Sequence, residues 1–280
     1  MGVTKKLVMI HADDAGLSHS QNSATIACLE KGTVTSYSIM VPCNAFEEIA
    51  LFAIQNPKFD YGIHLTLTCE WHQHRFGPVL PVAKVPSLVD ENGYFYKSRE
   101  ILRTKGKPEE AYQELKAQLE RAYDFGLKPS HIDSHMYSVA VSDDFFKMYI
   151  RLGKAFGLPV FANQRLMKMA GLDPGNAIDN SLFFVDYAHL ASFEDFKKGH
   201  LRSFYHKILT ELANGLHVLL VHPAFDDEEM KQITINHPNF GSEWRQMDYE
   251  TFTDPKTRSK IKENDIELIS WREIKERFSV

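Results

Sequence analysis

Short apolar runs alternate along the chain with longer segments in which apolar positions recur every three or four residues, the patterns of strands and of amphipathic helices. Residues 7–10 read as a first strand. The stretch "SHSQNSATIACLEKG" then reads as a helix with polar N-cap candidates, an apolar face at Ile26 and Leu29, and Gly32 as its stop. "TSYSIMV" and "YGIHLTL" are the next strands, separated by the helix "AFEEIALFAIQ". Residues 68–98 lose all periodicity and form a Pro- and Gly-containing loop too long to be a simple connector, the kind of insertion that serves as a lid or binding loop.

"PEEAYQELKAQLERAYDFG" is the clearest helix, opened by Pro108 and ended by Gly126. "HIDSHMYSV" follows as a strand, "DDFFKMYIRLGKAFG" as a helix and "LPVFA" as a strand. Residues 192–214 read as one helix closed by Gly215, and "HVLLVHPAF" as a strand ending in His-Pro. A second polar loop over 226–247 precedes a helix, the strand "IELIS" and the closing helix "WREIKERF". Repeated strand–helix units imply an α/β fold with a mainly parallel sheet. Their number predicts a closed or nearly closed TIM-like (β/α) barrel of about seven strands, with its site at the carboxyl ends of the strands. With no repeat, low-complexity tract or linker in the sequence, residues 1–280 are expected to form one domain.

Composition narrows the functional classes. Of 280 residues, 44% are hydrophobic and 25% charged, an ordinary globular balance. A net charge of −5 and the lack of a basic stripe with interleaved aromatics argue against a nucleic-acid partner. The N-terminal apolar run is too short for a signal peptide and no stretch is long enough to span a membrane, so a soluble, cytoplasmic protein without a membrane partner is expected. Cys28, Cys43 and Cys69 form no CxxC pair and read as buried thiols.

Four places put metal-ligand chemistry at predicted strand ends: Asp13 and Asp14; His64; His131, Asp133 and His135; and His222. Taken singly, each has a plainer explanation as a helix cap, a core histidine or a turn. On a parallel barrel all four strand ends face one mouth. In a strand His131 and His135 lie roughly 13 Å apart, too far to share one ion. His135 is the nearer to the mouth and the better ligand, leaving His131 and Asp133 as candidates for support, orienting neighbouring groups by hydrogen bonds. One carboxylate with two imidazoles suits a divalent Lewis acid. Zn²⁺ favours such donors, whereas Mg²⁺ prefers oxygen. In the acidic doublet, one carboxylate can bind the metal while the other takes a proton from water.

"HADDAGLSHSQNSAT", "YGIHLTLT", "KPSHIDSHMY" and "VHPAF" resemble, in order and spacing, the four motif blocks of the YdjC-like carbohydrate deacetylases, which include chitooligosaccharide deacetylases. The resemblance implies a distorted (β/α) barrel related to other polysaccharide deacetylases. It implies hydrolysis of the acetamide of an N-acetylated amino sugar, a small carbohydrate substrate, and a divalent metal, commonly Mg²⁺, with Zn²⁺ the other candidate. It makes Asp14, His64 and His135 the metal ligands, Asp13 the general base, and His222 the general acid or a residue orienting the leaving group. This chain departs from the family pattern at His11 (usually Asn), at Ala15 (usually aromatic), and at Met136 and Tyr137, where further histidines are common. Trp71 and Tyr94, in the long loop, are candidates for stacking on a sugar ring.

Two other readings keep the pocket. A glycosidase needs two carboxylates facing across the sugar, which adjacent Asp13 and Asp14 do not provide, and a phosphoesterase would show a phosphate cradle or a second set of acids. A non-catalytic sugar-binding protein has no need of a free base beside a complete ligand set. Specificity, the native metal and the oligomeric state, a homodimer being one option, are not legible.

Overall fold

The computed structural model describes residues 5–173 and 183–278. The strands among the described residues are β1 (Lys6–Ala15), β2 (Ser36–Ile39), β3 (Asp60–Leu65), β4 (Ile132–Ser134), β5 (Phe161–Ala162), β6 (Phe183–Phe184), β7 (Tyr187–His189), β8 (Gly215–Val221) and β9 (Ile266–Leu268). Seven form one sheet in the order β4-β3-β2-β1-β8-β7, with β9 also on β1. Every pairing within it is parallel. A single parallel bridge from Ile132 to Val160 leads on to the two-stranded β5-β6 sheet. Among the described residues β6 and β7 do not pair, so the result is a curled half-barrel wrapped by helices.

β1 is central because its residues from Leu7 to Ala15 are buried on both faces, as a parallel strand under helices requires. One edge carries β8 along its length; the other is shared, with β9 on Lys6–Val8 and β2 from His11 onward. Side chains alternate. Val8, Ile10 and Ala12 join the large core under the helices, whereas Leu7 and Met9 pack with Leu216, Val218, Ile269 and Trp271 inside the curl. The inward face of β1 thus reads Leu7, Met9, His11, Asp13 from floor to mouth. An apolar floor gives way to a polar layer within one strand.

Helices are capped as their sequences imply. Ser18 and Ser142 accept from the backbone N–H of Gln21 and Phe145 at the starts of His19–Lys31 and Asp143–Phe156. Gly157 ends the latter helix with φ +63, a left-handed conformation open to glycine. Several expected elements differ. The helix expected over 192–214 breaks into Phe193–Lys197 and Leu201–Glu211, with Gly199 at φ +68 between them. The polar loop over 226–247 contains the helix Glu228–Ile233 and the start of Ser242–Thr253. The strand expected over 131–139 stops at Ser134, where the chain enters the 3-10 turn His135–Ala140. The loop of residues 68–98 is held by its own buried side chains, among them Trp71, Phe76, Leu88 and Phe95. No helix among the described residues is long and apolar enough to cross a membrane.

Candidate active site

Adjacent residues in a regular strand point to opposite faces, yet Asp13 and Asp14 both reach the mouth of the curl. The register between β1 and β2 slips between Ala12 and Ala15, and Asp14 takes a left-handed backbone with φ +65. This bulge turns Asp14 to the side Asp13 already faces; Asp is among the residues that tolerate such a φ. The strand end is where the doublet becomes usable.

Asp14, His64 and His135 offer ligand atoms all within 4.8 Å of one another. Asp14 Oδ1 lies 3.3 Å from His64 Nε2 and 3.0 Å from His135 Nδ1. Each imidazole is oriented from behind. His64 Nδ1–H donates to Asp133 Oδ1 at 2.8 Å, and His135 Nε2–H donates to Glu70 Oε2 at 2.9 Å. The other nitrogen of each ring faces Asp14, and in the neutral ring it would offer its lone pair to an ion held there, the arrangement in which histidines bind metal. Arg245, buried, donates to Asp14 Oδ2 at 2.8 Å, to Gln21 and to the Phe240 carbonyl, fixing the carboxylate from its other oxygen.

Asp133 also accepts from His11 Nε2 at 2.9 Å, and the His11 ring meets Ser36 and Ser38 of β2. His11 Nε2 lies 3.5 Å from Asp13 Oδ1, so the residue that stands where Asn is usual braces the doublet from below. Asp13 Oδ1 is buried with no hydrogen-bond partner among the described residues, and Asp13 Oδ2 lies 3.6 Å from His222 Nε2. His222 follows β8 directly and is held by its own N–H, which donates to Asp248 at 2.8 Å.

Electrostatics separate the two acids. Burial pushes Asp13 up to about 7, with His64 and His11 pulling the other way. For Asp14 the same burial is outweighed by Arg245 and His135, so it stays well below the usual carboxylate range. Burial works against charge on His135, but Glu70 and Asp14 outweigh it and raise the imidazole to about 9. His222 is pushed down to about 3 by burial, with Arg245 adding to the effect and Asp14 opposing it. His222 is therefore neutral at rest. Asp13, Asp14, Glu70 and Asp133 line one cavity with buried Arg245 and with two imidazoles whose affinity for a proton their carboxylate neighbours raise, and a divalent ion at Asp14, His64 and His135 would take over the charge those imidazole protons balance. The donor set fits such an ion.

The remaining predicted residues fall elsewhere. His131 lies under the site: its ring stacks on Trp271 and meets His11 edge-on, with Nδ1 bonded to Ser130 and Nε2 without a hydrogen-bond partner among the described residues. Gly62 makes room for it, since a Cβ there would come within 2.5 Å of the imidazole. His131 makes no hydrogen bond to the cluster, unlike Asp133, because the inward face of so short a strand reaches the mouth only at its end. Trp71 is fully buried beneath the Arg245 guanidinium, and Tyr94 lies over Arg75; neither lines the cavity in front of the cluster. Burial removes Trp71 from contact with a sugar. Glu70, from the loop after β3, and Arg245, from the helix Ser242–Thr253 within the stretch expected to be a polar loop, are not marked by any pattern in the sequence.

Ligand-type side chains converging beside a carboxylate with an unused oxygen, at the mouth of a parallel sheet, are the parts a metal-assisted hydrolase would use. The chain belongs to the YdjC-like protein family, whose profile matches residues 7–263. It is 30% identical to a carbohydrate deacetylase of Geobacillus stearothermophilus over 95% of this chain and 96% of that protein. A carbohydrate deacetylase of Thermus thermophilus is 29% identical, over 97% and 95% respectively. The crystal structure of an Enterococcus faecalis V583 protein, described as a proposed cellobiose-phosphate cleavage protein, superposes with a TM-score of 0.78 at 25% identity, covering 96% of this chain and 99% of that one.

Proposed function

We propose that the protein removes the N-acetyl group from an N-acetylated amino sugar or short chitooligosaccharide by metal-dependent hydrolysis. The observation that carries this reading is the division of labour in the doublet: Asp14 is committed to Arg245 and two imidazoles, while Asp13 keeps an unpartnered oxygen. The carbohydrate deacetylase relatives supply the substrate class.

Asp14, His64 and His135 would hold the divalent ion, Mg²⁺ or Zn²⁺, which when bound supplies a Lewis acid for the acetyl carbonyl and for water. Asp13 accepts the proton of the attacking water, a role suited to a carboxylate raised to about 7. Asp13 returns that proton to the departing sugar amine, and His222, neutral at rest with Nε2 3.6 Å from Asp13, orients the leaving group. One proton thus leaves water and ends on the amine. Asp133 and Glu70 hold the two imidazoles; Arg245 holds Asp14.

The test is acetate release from N-acetylated mono- and disaccharides with and without chelator. Release that stops with chelator and resumes on adding a divalent ion is expected. Release that persists with chelator overturns the metal-dependent reading, and no release from any such sugar overturns the substrate class.

A further inference from the structure

In front of the cluster lies a cavity of about 410 Å³ whose lining has two unlike parts. One is the buried ligand set with Asp13 and His222. The other is an apolar strip: Phe161 of β5, Leu166 and Met169 of the helix Gln164–Met169, Leu190 directly after β7, and Leu220 of β8. Leu166 and Leu220 pack on the apolar core inside the curl. Met169 and Leu190 carry that surface out to solvent, with 72% and 44% of their area exposed. Single exposed apolar side chains need no explanation, but several that continue a cavity wall to its rim mark a binding surface.

The chemistry of the strip is selective. Apart from the weak thioether acceptor of Met169, none of these side chains can form a hydrogen bond. The polar groups of the lining outside the cluster belong to other segments, such as Arg99, whose Nη2 reaches the Ala140 carbonyl at 3.4 Å, and His237, whose Nδ1 bonds the Asn239 carbonyl. A sugar hydroxyl laid on the strip would give up water and gain no partner, which disfavours it. The exposed end, Met169 and Leu190, is aliphatic and offers no ring for a pyranose face to stack on. An alkyl group laid there would exchange water for carbon contacts and gain in proportion to the area covered. Asp14, His64 and His135 are buried whereas Met169 and Leu190 border solvent, so the acetamide and the group on the rim belong to different ends of one substrate.

We propose that Leu166, Met169, Leu190 and Leu220 hold an apolar aglycone, an alkyl group joined to the amino sugar through its anomeric oxygen. The proposal deepens the deacetylase reading and rests on it for the acetamide; it favours an alkyl glycoside over a chitooligosaccharide.

The experiment has a turnover arm and a binding arm. Acetate release is measured below micelle-forming concentrations for the methyl and octyl β-glycosides of N-acetylglucosamine and for N,N′-diacetylchitobiose, using wild type and a double variant, Met169→Ser with Leu190→Ser. Both positions are exposed, so the fold tolerates the change. The wild type should favour the octyl glycoside over the methyl glycoside and over diacetylchitobiose by about 10- to 100-fold in kcat/KM, chiefly through KM, and the octyl-to-methyl ratio should collapse toward one in the double variant. Equal kcat/KM for the two glycosides, a preference for diacetylchitobiose, or a ratio that the double variant leaves intact overturns the proposal. In the binding arm, octyl β-glucoside, which has no acetamide, and methyl β-glucoside are titrated into the protein by calorimetry. Octyl binding tighter by about 10-fold or more, with the advantage lost in the double variant, supports the strip even where no glycoside yields acetate, an outcome that would sink only the deacetylase reading. Equal binding of the two glucosides, or octyl binding that the double variant leaves intact, overturns the strip.

Discussion

His64 gives its Nδ1–H to Asp133 at 2.8 Å and thereby presents Nε2 to Asp14 at 3.3 Å. Glu70 does the same for His135 from the opposite ring nitrogen. The carboxylates behind the imidazoles thus decide which nitrogens face the candidate metal position. Asp133→Asn should lower divalent-metal affinity by about 10- to 100-fold, measured by calorimetric titration, because an amide N–H then opposes one of the two imidazole donors on Asp133. Glu70→Leu should weaken binding in the same way, and Glu70→Gln, which keeps an acceptor, should recover part of it. Unaltered affinity in Asp133→Asn would mean that Asp133 does not orient His64.

Arg245 and Asp14 form a buried ion pair at 2.8 Å. Removing one partner strands a charge in the interior, so Arg245→Met should cost about 3–5 kcal/mol in denaturant unfolding. A divalent ion bound at Asp14 would supply part of the missing charge, so added metal should raise the midpoint of this variant more than that of the wild type. A loss below about 1 kcal/mol would contradict the pairing's importance.

On β7 and β8, His217 Nε2 donates to the Ala213 carbonyl at 3.0 Å, which leaves its Nδ1 to accept from His189 Nε2 at 3.0 Å. Burial, with His217 and Arg165 adding repulsion, pushes His189 down from 6.5 to about 4. The folded state then binds fewer protons than the unfolded one between those values. His189's contribution is present above about pH 6.5 and declines as pH falls toward 4, by up to about 1.4 kcal/mol per unit. The stability difference between wild type and His189→Phe should shrink over that interval in urea melts; a difference independent of pH would remove the effect.

Much of this architecture is visible in the residue pattern. The strand cores, the parallel α/β class and the order of the polar strand ends follow from periodicity, since each inward-facing position repeats every second residue. Three kinds of feature do not. The helical period continues smoothly across Gly199, so the break there depends on a backbone angle that period alone does not show. The bulge that aims both Asp13 and Asp14 at one site depends on register with β2, a relation between strands and not within one. Glu70, Arg99 and Arg245 carry charges on a loop or on helices whose packing partners are distant in sequence, up to 231 residues for Arg245 and Asp14. Trp71 and Tyr94 show the converse: loop aromatics suggest sugar stacking, but Trp71 is buried under Arg245 and Tyr94 packs on Arg75.

The most direct test of the account is to measure metal content and acetate release on one preparation of Asp13→Asn. Among the described residues Asp13 holds an oxygen without a hydrogen-bond partner, while Asp14, His64 and His135 are the proposed ligand set. The variant should retain about one divalent ion per chain and release no acetate from a sugar that the wild type deacetylates. Retained turnover, or loss of the ion, would contradict the assignment of Asp13 as base and Asp14 as ligand.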